Sequence, residues 1–375
     1  MDNASRRTSF PDGVPELQDT LTGVRLRPLA EEDLPAVIEQ SRDPETIRWT
    51  TVPAPYGIAE ARGFLEQVQA RGWREGTQAG FAIEDEVDGV RRYCGQVDLR
   101  FTDPGQAEVG FVLHPTARGR GLMARSVRQV AVWAFSTCGV QVIRWYAAIG
   151  NWASRKAAHD AGFIFEGVGR LRVPLRSGLV DGWMGSLSLP DLHRPVVPWL
   201  QIPTLDGRTV RLRPLREDDA DRLAEAFADP ESRQYLVNLP DPYRRSDALS
   251  FIEDCRDGAA RRRLAAFALA DPGTDTCLGA LHLNHLDHYA RRASVGYVVH
   301  PRARGRGVGV EALRLATDHA RTAGWSPSMH LLADPRNRAS QRVAEKAGWR
   351  RVGELRQTEP EPDGSFSDLV MWAHP

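Results

Sequence analysis

The chain repeats itself. Val24–Leu29 reads VRLRPL and Val210–Leu215 reads it again, an offset of 186 (210 minus 24). The same offset joins Asp43-Pro44-Glu45 to Asp229-Pro230-Glu231, VGFVLHP at Val109–Pro115 to VGYVVHP at Val295–Pro301, and ARGRG at Ala117–Gly121 to Ala303–Gly307. It also joins Asn151-x-Ala153-Ser154 to Asn337-x-Ala339-Ser340, and Ala161-Gly162-Phe163 to Ala347-Gly348-Trp349. A unit of that length exceeds any solenoid repeat and suits a whole domain. The 375 residues therefore divide into two homologous domains in tandem. We expect domains at 21–188 and 204–375, a loosely held tail at 1–20, and a stiff connector at 189–203 carrying Pro190, Pro195, Pro198 and Pro203. Trp199 and Leu200 in that connector favour burial against the domains over a free tether. They suggest a monomer whose duplication forms a fixed pseudo-two-fold pair.

Each unit reads β-α-α-β-β-β-α-β-α-β-β, an α/β domain with a mixed sheet. Its last two strands meet at turn signals, Ser177-Gly178 and Asp363-Gly364. Several function classes are disfavoured early. With 49 Lys+Arg against 49 Asp+Glu the net charge is zero, which speaks against nucleic acid or an anionic membrane as partner. The longest apolar run, Leu264–Ala270, has 7 residues, far short of the ~18 that span a bilayer. Met1–Pro15 lacks the apolar stretch of a secretory signal. The cysteines, Cys94, Cys138, Cys255 and Cys277, have no CxxC spacing. No metal site and no disulfide framework is expected, and a cytoplasmic location fits.

The chemistry concentrates where a strand, His-Pro, an Arg/Gly loop and a helix follow in order. In unit one the loop is Arg118-Gly119-Arg120-Gly121-Leu122-Met123; in unit two it is Arg304-Gly305-Arg306-Gly307-Val308-Gly309. Glycines at a strand-to-helix turn expose backbone N–H groups at a helix N-terminus, a site for phosphate or pyrophosphate. Neither loop is a GxxxxGK[ST] P-loop, and neither completes the GxGxxG dinucleotide pattern. What remains is [Q/R]-x-x-G-x-[G/A], which unit two fits with Arg304, Gly307 and Gly309, while unit one has Met123 at the last place.

These segments resemble the GNAT superfamily of acyl-CoA N-acyltransferases, and within it the RimJ/RimL-type branch, over nearly the whole of both units. Gly121-Leu122-Met123 is itself a common form in that branch. The resemblance implies two tandem acetyltransferase domains in which two central parallel strands splay apart, with acetyl-CoA or another acyl-CoA as cofactor. It places the pantetheine along Phe111, Val112 and Leu113 and along Tyr297, Val298 and Val299. It places the pyrophosphate on Gly119–Met123 and Gly305–Gly309. Asn151 and Asn337 match the family's cofactor-contacting asparagine, or are plain helix caps. Ser154 and Ser340 match a serine that some members use against the departing thiolate, or bond only to their own backbone.

For the base, the family's spacing from Ser340 reaches Glu359, where the same count from Ser154 reaches Val173. Glu108 takes a strand position that faces the cleft in other members, where unit two has Ser294. No cysteine sits in a nucleophile context, so direct attack by the amine is implied. The acceptor is then a small-molecule amine or a protein N-terminus. The competing readings are a non-catalytic acyl-CoA-binding regulatory module, one catalytic domain beside a degenerate one, and a phosphate-backbone binder using Arg261-Arg262-Arg263. Trp49 and Tyr235, equivalent aromatics, read as core packing or as the floor of an amine pocket.

Overall fold

The computed structural model describes residues 13–18, 23–87, 89–236, 239–286, 292–360 and 364–374. Residues 1–12 and 19–20 of the expected tail, and Asp363 of the expected turn, lie outside these. The chain forms two compact units, dividing between Pro198 and Trp199.

In unit one the strands are β1 (Leu17–Gln18), β2 (Arg25–Arg27), β3 (Gln78–Val87), β4 (Val90–Asp103), β5 (Gln106–Leu113), β6 (Val142–Ala148), β7 (Ile164–Leu175) and β8 (Gly178–Leu187). They lie in the order β1-β2-β3-β4-β5-β6-β8-β7, and every pairing is antiparallel except β5 with β6. Its helices are α1 (Leu34–Arg42), α2 (Pro44–Trp49), α3 (Ile58–Phe64, running on to Glu75), α4 (Leu122–Thr137) and α5 (Trp152–Ala161).

Unit two repeats the plan with β9 (Leu205–Asp206), β10 (Arg211–Arg213), β11 (Leu264–Ala270), β12 (Cys277–Asn284), β13 (Arg292–Val299), β14 (Ser328–Ala333), β15 (Arg350–Pro360) and β16 (Phe366–Ala373). The order β9-β10-β11-β12-β13-β14-β16-β15 is the same. Its helices are α6 (Ala220–Ala228), α7 (Pro230–Arg233), α8 (Arg245–Ala260), α9 (Val308–Thr322) and α10 (Arg338–Lys346).

Each sheet is covered on both faces, as its alternating strands require. On one face of unit one, Leu122, Val127 and Val130 of α4 and Ala158 of α5 pack on Phe81, Val97, Leu99 and Val109. On the other, Leu34 and Val37 of α1 and Ala61 of α3 pack on Ala82. Unit two divides in the same way between α9 with α10 and α6 with α8.

The repeated VRLRPL carries a fixed role. The guanidinium of Arg213 grips Asp219 at 2.8 Å through both of its Nη atoms, with both side chains buried. Arg27 holds Asp33 in the same way.

The expected tail and connector are shorter than the sequence suggests. Leu17 and Gln18 pair with β2, and Val14 and Leu17 pack on the core. Leu189–His193 is a 3-10 helix that buries Leu192, whose carbonyl accepts from Arg128 at 2.7 Å. Leu200 is buried in unit two and its N–H donates to the Ala259 carbonyl at 3.1 Å. No helix among the described residues is long and apolar enough to cross a membrane.

Candidate functional site

The parallel strands of each sheet fork. β5 pairs with β6 only at Gln106↔Val142, Ala107↔Ile143 and Glu108↔Arg144. β13 pairs with β14 only at Arg292↔Ser328, Ala293↔Met329 and Ser294↔His330. Beyond those points β5 follows β4 to Leu113 and β6 follows β8 to Ala148, so the gap is held open from both sides.

The N–H of His114 donates to the Cys94 carbonyl at 2.9 Å, and that of His300 to the Leu278 carbonyl at 2.8 Å. Backbone groups alternate sides along a strand. Those of Phe111, Leu113, Tyr297 and Val299 therefore face the fork, while those of Val112 and Val298 turn to the outer neighbour. The open edge is narrower than the three-residue stretches expected.

Beyond the fork the loop wraps a helix N-terminus. Gly119, Gly121, Gly305 and Gly307 have φ of +77°, +69°, +74° and +82°. A Cβ on any of them would meet nothing within 4 Å. The left-handed backbone is what demands glycine here, and the space in front of α4 and α9 is an open cradle of backbone N–H groups. This cradle and the fork edge, which no neighbouring strand pairs, fit an extended, diphosphate-bearing cofactor such as CoA. Leu122, Met123 and Val308 are buried, and a Cβ on Gly309 would stand 3.5 Å from Val343. These four positions anchor the helices and offer a ligand only backbone.

The loop arginines mostly brace the loop. Arg118 donates to Asp43 at 2.6 Å, Thr46 Oγ1 at 3.2 Å and the Leu113 carbonyl at 3.4 Å. Arg304 donates to Asp229 at 2.6 Å, Glu231 at 2.7 Å, Ser232 Oγ at 2.8 Å and the Val299 carbonyl at 3.3 Å. The repeated Asp-Pro-Glu is thereby explained: its aspartate caps α2 or α7 and clamps the loop arginine. Burial pushes the Asp43 and Asp229 carboxyls up, but the arginine and the cap N–H outweigh it and leave both below the ordinary value. Arg120 pairs with Asp85. Arg306, 3.7 Å from Asp271, is more than half exposed beside the cradle.

Asn151 and Asn337 are helix caps, accepting from the N–H of Ser154 at 3.1 Å and of Ser340 at 2.9 Å. The amide nitrogen of each makes no hydrogen bond among the described residues. The two serines have different partners. Ser154 Oγ accepts from the Trp145 indole at 3.0 Å, whereas Ser340 Oγ lies 3.0 Å from the Tyr297 hydroxyl. The serine's partner has changed strand: unit one has Phe111 and Trp145 where unit two has Tyr297 and Leu331. Burial pushes the Tyr297 phenol up to about 12, against the pull of Ser340.

Glu108 stands at the closed end of the fork, 3.0 Å from Arg100. Glu359 lies on β15 opposite Ser367, near the hairpin end, and makes no hydrogen bond among the described residues. Val173 lies opposite Val180 in unit one.

Trp49 and Tyr235 are not core residues. A Cβ on Gly150 would meet Trp49 at 3.3 Å, and the Tyr235 hydroxyl donates to the Arg336 carbonyl at 3.5 Å. Each is half-buried and runs from the helices before β3 or β11 to the turn that precedes the capping asparagine.

Sequence reasoning missed one group in each unit. Asp98 lies opposite Gly110 and His282 opposite Gly296, both glycines of the repeated VGxV. A Cβ on Gly110 would stand 2.9 Å from Asp98 Oδ1, and one on Gly296 2.5 Å from His282 Nε2. Each glycine is what lets the neighbouring side chain lie flat over the fork strand, and its recurrence was the available signal.

An acetyltransferase (GNAT) domain model matches residues 24–164 and again 209–350. The chain belongs to the GNAT acetyltransferases. Among curated members of this family, an uncharacterized N-acetyltransferase p20 of Bacillus licheniformis is 27% identical over 173 residues, 45% of this chain and 94% of that protein. The spermidine N(1)-acetyltransferase of Escherichia coli K12 is 26% identical over 151 residues, 40% of this chain and 77% of that protein. Of solved GNAT structures, Mycobacterium smegmatis RimJ in complex with CoA-disulfide aligns at 26% identity with a TM-score of 0.40, covering 44% of this chain and 81% of that one.

Proposed function

We propose that the chain is an acetyl-CoA-dependent N-acetyltransferase acting on a primary amine, with a CoA site in each unit. The carrying observation is the fork whose strand-unpaired edge leads into an open cradle of backbone N–H groups at a helix N-terminus, present twice. Gly119–Met123 and Gly305–Gly309 would hold the diphosphate. The backbone of Phe111 and Leu113, and of Tyr297 and Val299, would hold the pantetheine arm, with the amide nitrogens of Asn151 and Asn337 close by. When bound, acetyl-CoA supplies an acetyl group activated as a thioester.

The Trp145 indole can only donate, so Ser154 keeps its own proton to offer the departing sulfur. Ser340 and Tyr297 share theirs. Glu108 and Glu359 draw the acceptor's ammonium toward the site. A small amine or a peptide N-terminus is the acceptor, in keeping with the polyamine acetyltransferase among the relatives.

Thiol release from acetyl-CoA tests this, with spermidine, a peptide bearing a free α-amino group, and an aminoglycoside as acceptors. Release that depends on one of these amines is the expected result. CoA binding without release in the presence of any of them would leave a non-catalytic binding module.

A further inference from the structure

We propose that Asp98 in unit one and His282 in unit two are the groups that take the proton from the acceptor's ammonium, so that the two units have separate acceptor sites with different pH windows. The inference rests on the amine-transfer reading above.

The placement carries it. The fork closes at Glu108 and Ser294, and Gly110 and Gly296 lie two residues into the open stretch. The carboxyl of Asp98, with Arg100 Nη2 equally close, lies over Gly110, and the imidazole of His282 lies over Gly296. Both are on the sheet face opposite the α4 or α9 core, under the helices that precede β3 or β11. A titratable side chain thus stands at one sheet position in both units, although the residue type has changed.

The surroundings differ. Asp98 keeps 18% of its side chain accessible. Gln78 Nε2 donates to its Oδ2 at 3.0 Å and Arg100 Nε lies 3.6 Å from that same oxygen. Oδ1, the oxygen nearer Gly110, has no partner among the described residues. Burial pushes this carboxyl up to about 6, with Arg100 and Gln78 pulling it down and Glu108 adding to the rise. Around His282 lie the ring of Phe251, centred 6.4 Å away, Gly296 and Ala266, and no charge among the described residues shifts it. Burial alone holds the imidazole down to about 4. Each group is in its proton-accepting form at neutral pH, and Asp98, the nearer of the two to working pH, is the more effective acceptor. Glu108 is paired with Arg100, and nothing places Glu359 over the fork.

The step balances. One ammonium proton passes to Asp98 Oδ1 or a His282 ring nitrogen and later to water. The freed nitrogen lone pair forms the N–C bond as the C–S bond breaks. The second proton lost by nitrogen ends on the departing sulfur.

The test is thiol release against pH for the wild type, D98N, H282Q, E108Q and E359Q, beside NMR titration of the Asp98 carboxyl and His282 imidazole in the intact chain with and without spermidine. The expected wild-type profile shows an acid limb near 6 that D98N removes, and D98N lowers kcat for unit one's acceptor by ~10²–10⁴-fold with little change in KM. H282Q does the same for the other unit. The Asp98 titration is expected near 6, moving to lower pH with spermidine. G110A, which displaces the carboxyl and the Arg100 guanidinium beside it without removing either, should reproduce the D98N loss, with circular dichroism confirming the fold. Turnover unchanged in both D98N and H282Q, or losses confined to E108Q and E359Q, overturns this proposal and leaves amine transfer standing. No turnover with any amine overturns both.

Discussion

Asp98 carries opposing demands on one carboxyl. Its folded pKa is raised above the unfolded value by burial, so ionisation works against folding. Stability relative to a neutral residue is undiminished below about pH 4 and falls as pH rises through about 6. D98N should therefore unfold at higher temperature than the wild type at pH 8, by on the order of 1–3 kcal/mol, with the difference gone at pH 4. Thermal unfolding at both pH values checks this, and stabilisation combined with lost turnover is the pattern of a strained functional group. Arg213 gives the opposite case. R213A would leave Asp219 buried without its counter-charge, which costs about 3–5 kcal/mol. Urea unfolding of the full chain should show unit two destabilised and unit one unchanged.

At the scale of elements, the loop and the helix behind it form the anion site. G121E and G307E each force a side chain onto a backbone with φ near +69° or +82° and set a carboxylate in the cradle. Each variant should abolish CoA binding in its own unit. Calorimetry on the wild type should give close to two CoA sites per chain, and on either variant close to one. The arginine that braces the loop acts indirectly: R304A frees Asp229 and Glu231 and releases the Val299 carbonyl. Its CoA affinity should fall severalfold, less than for G307E. Titration of both variants with CoA ranks them.

At the scale of the whole molecule, each unit has its own sheet and its own cores on both faces. The connector's ends are already folded into the units they adjoin. Residues 1–198 and 199–375 expressed apart should each unfold cooperatively by circular dichroism. Loss of cooperativity in either half would show that it needs the other.

The sequence by itself determined the duplication, the two glycine loops and the order of elements, except the short β1, β9, α2 and α7, which it did not show. Such features are local, set by residues adjacent in the chain or by spacing from a strand end. The apolar run Leu264–Ala270 is the whole of strand β11. Only the tertiary structure decided what the loop arginines hold, where Trp49 and Tyr235 reach, and which groups lie over the fork. Asp98 and His282 escaped because the 186-residue offset sets Asp98 against Asn284, whereas the ladders match it with His282. Between ladder partners, Ala268 to Ala280 is two residues shorter than Ala82 to Gln96, and His282 to Gly296 is two longer than Asp98 to Gly110. A shift of two preserves the face a side chain occupies, so the sheet absorbs it without disturbing the core. Which titratable group faces a given glycine is then fixed by strand register, a non-local pairing that no spacing along the chain records.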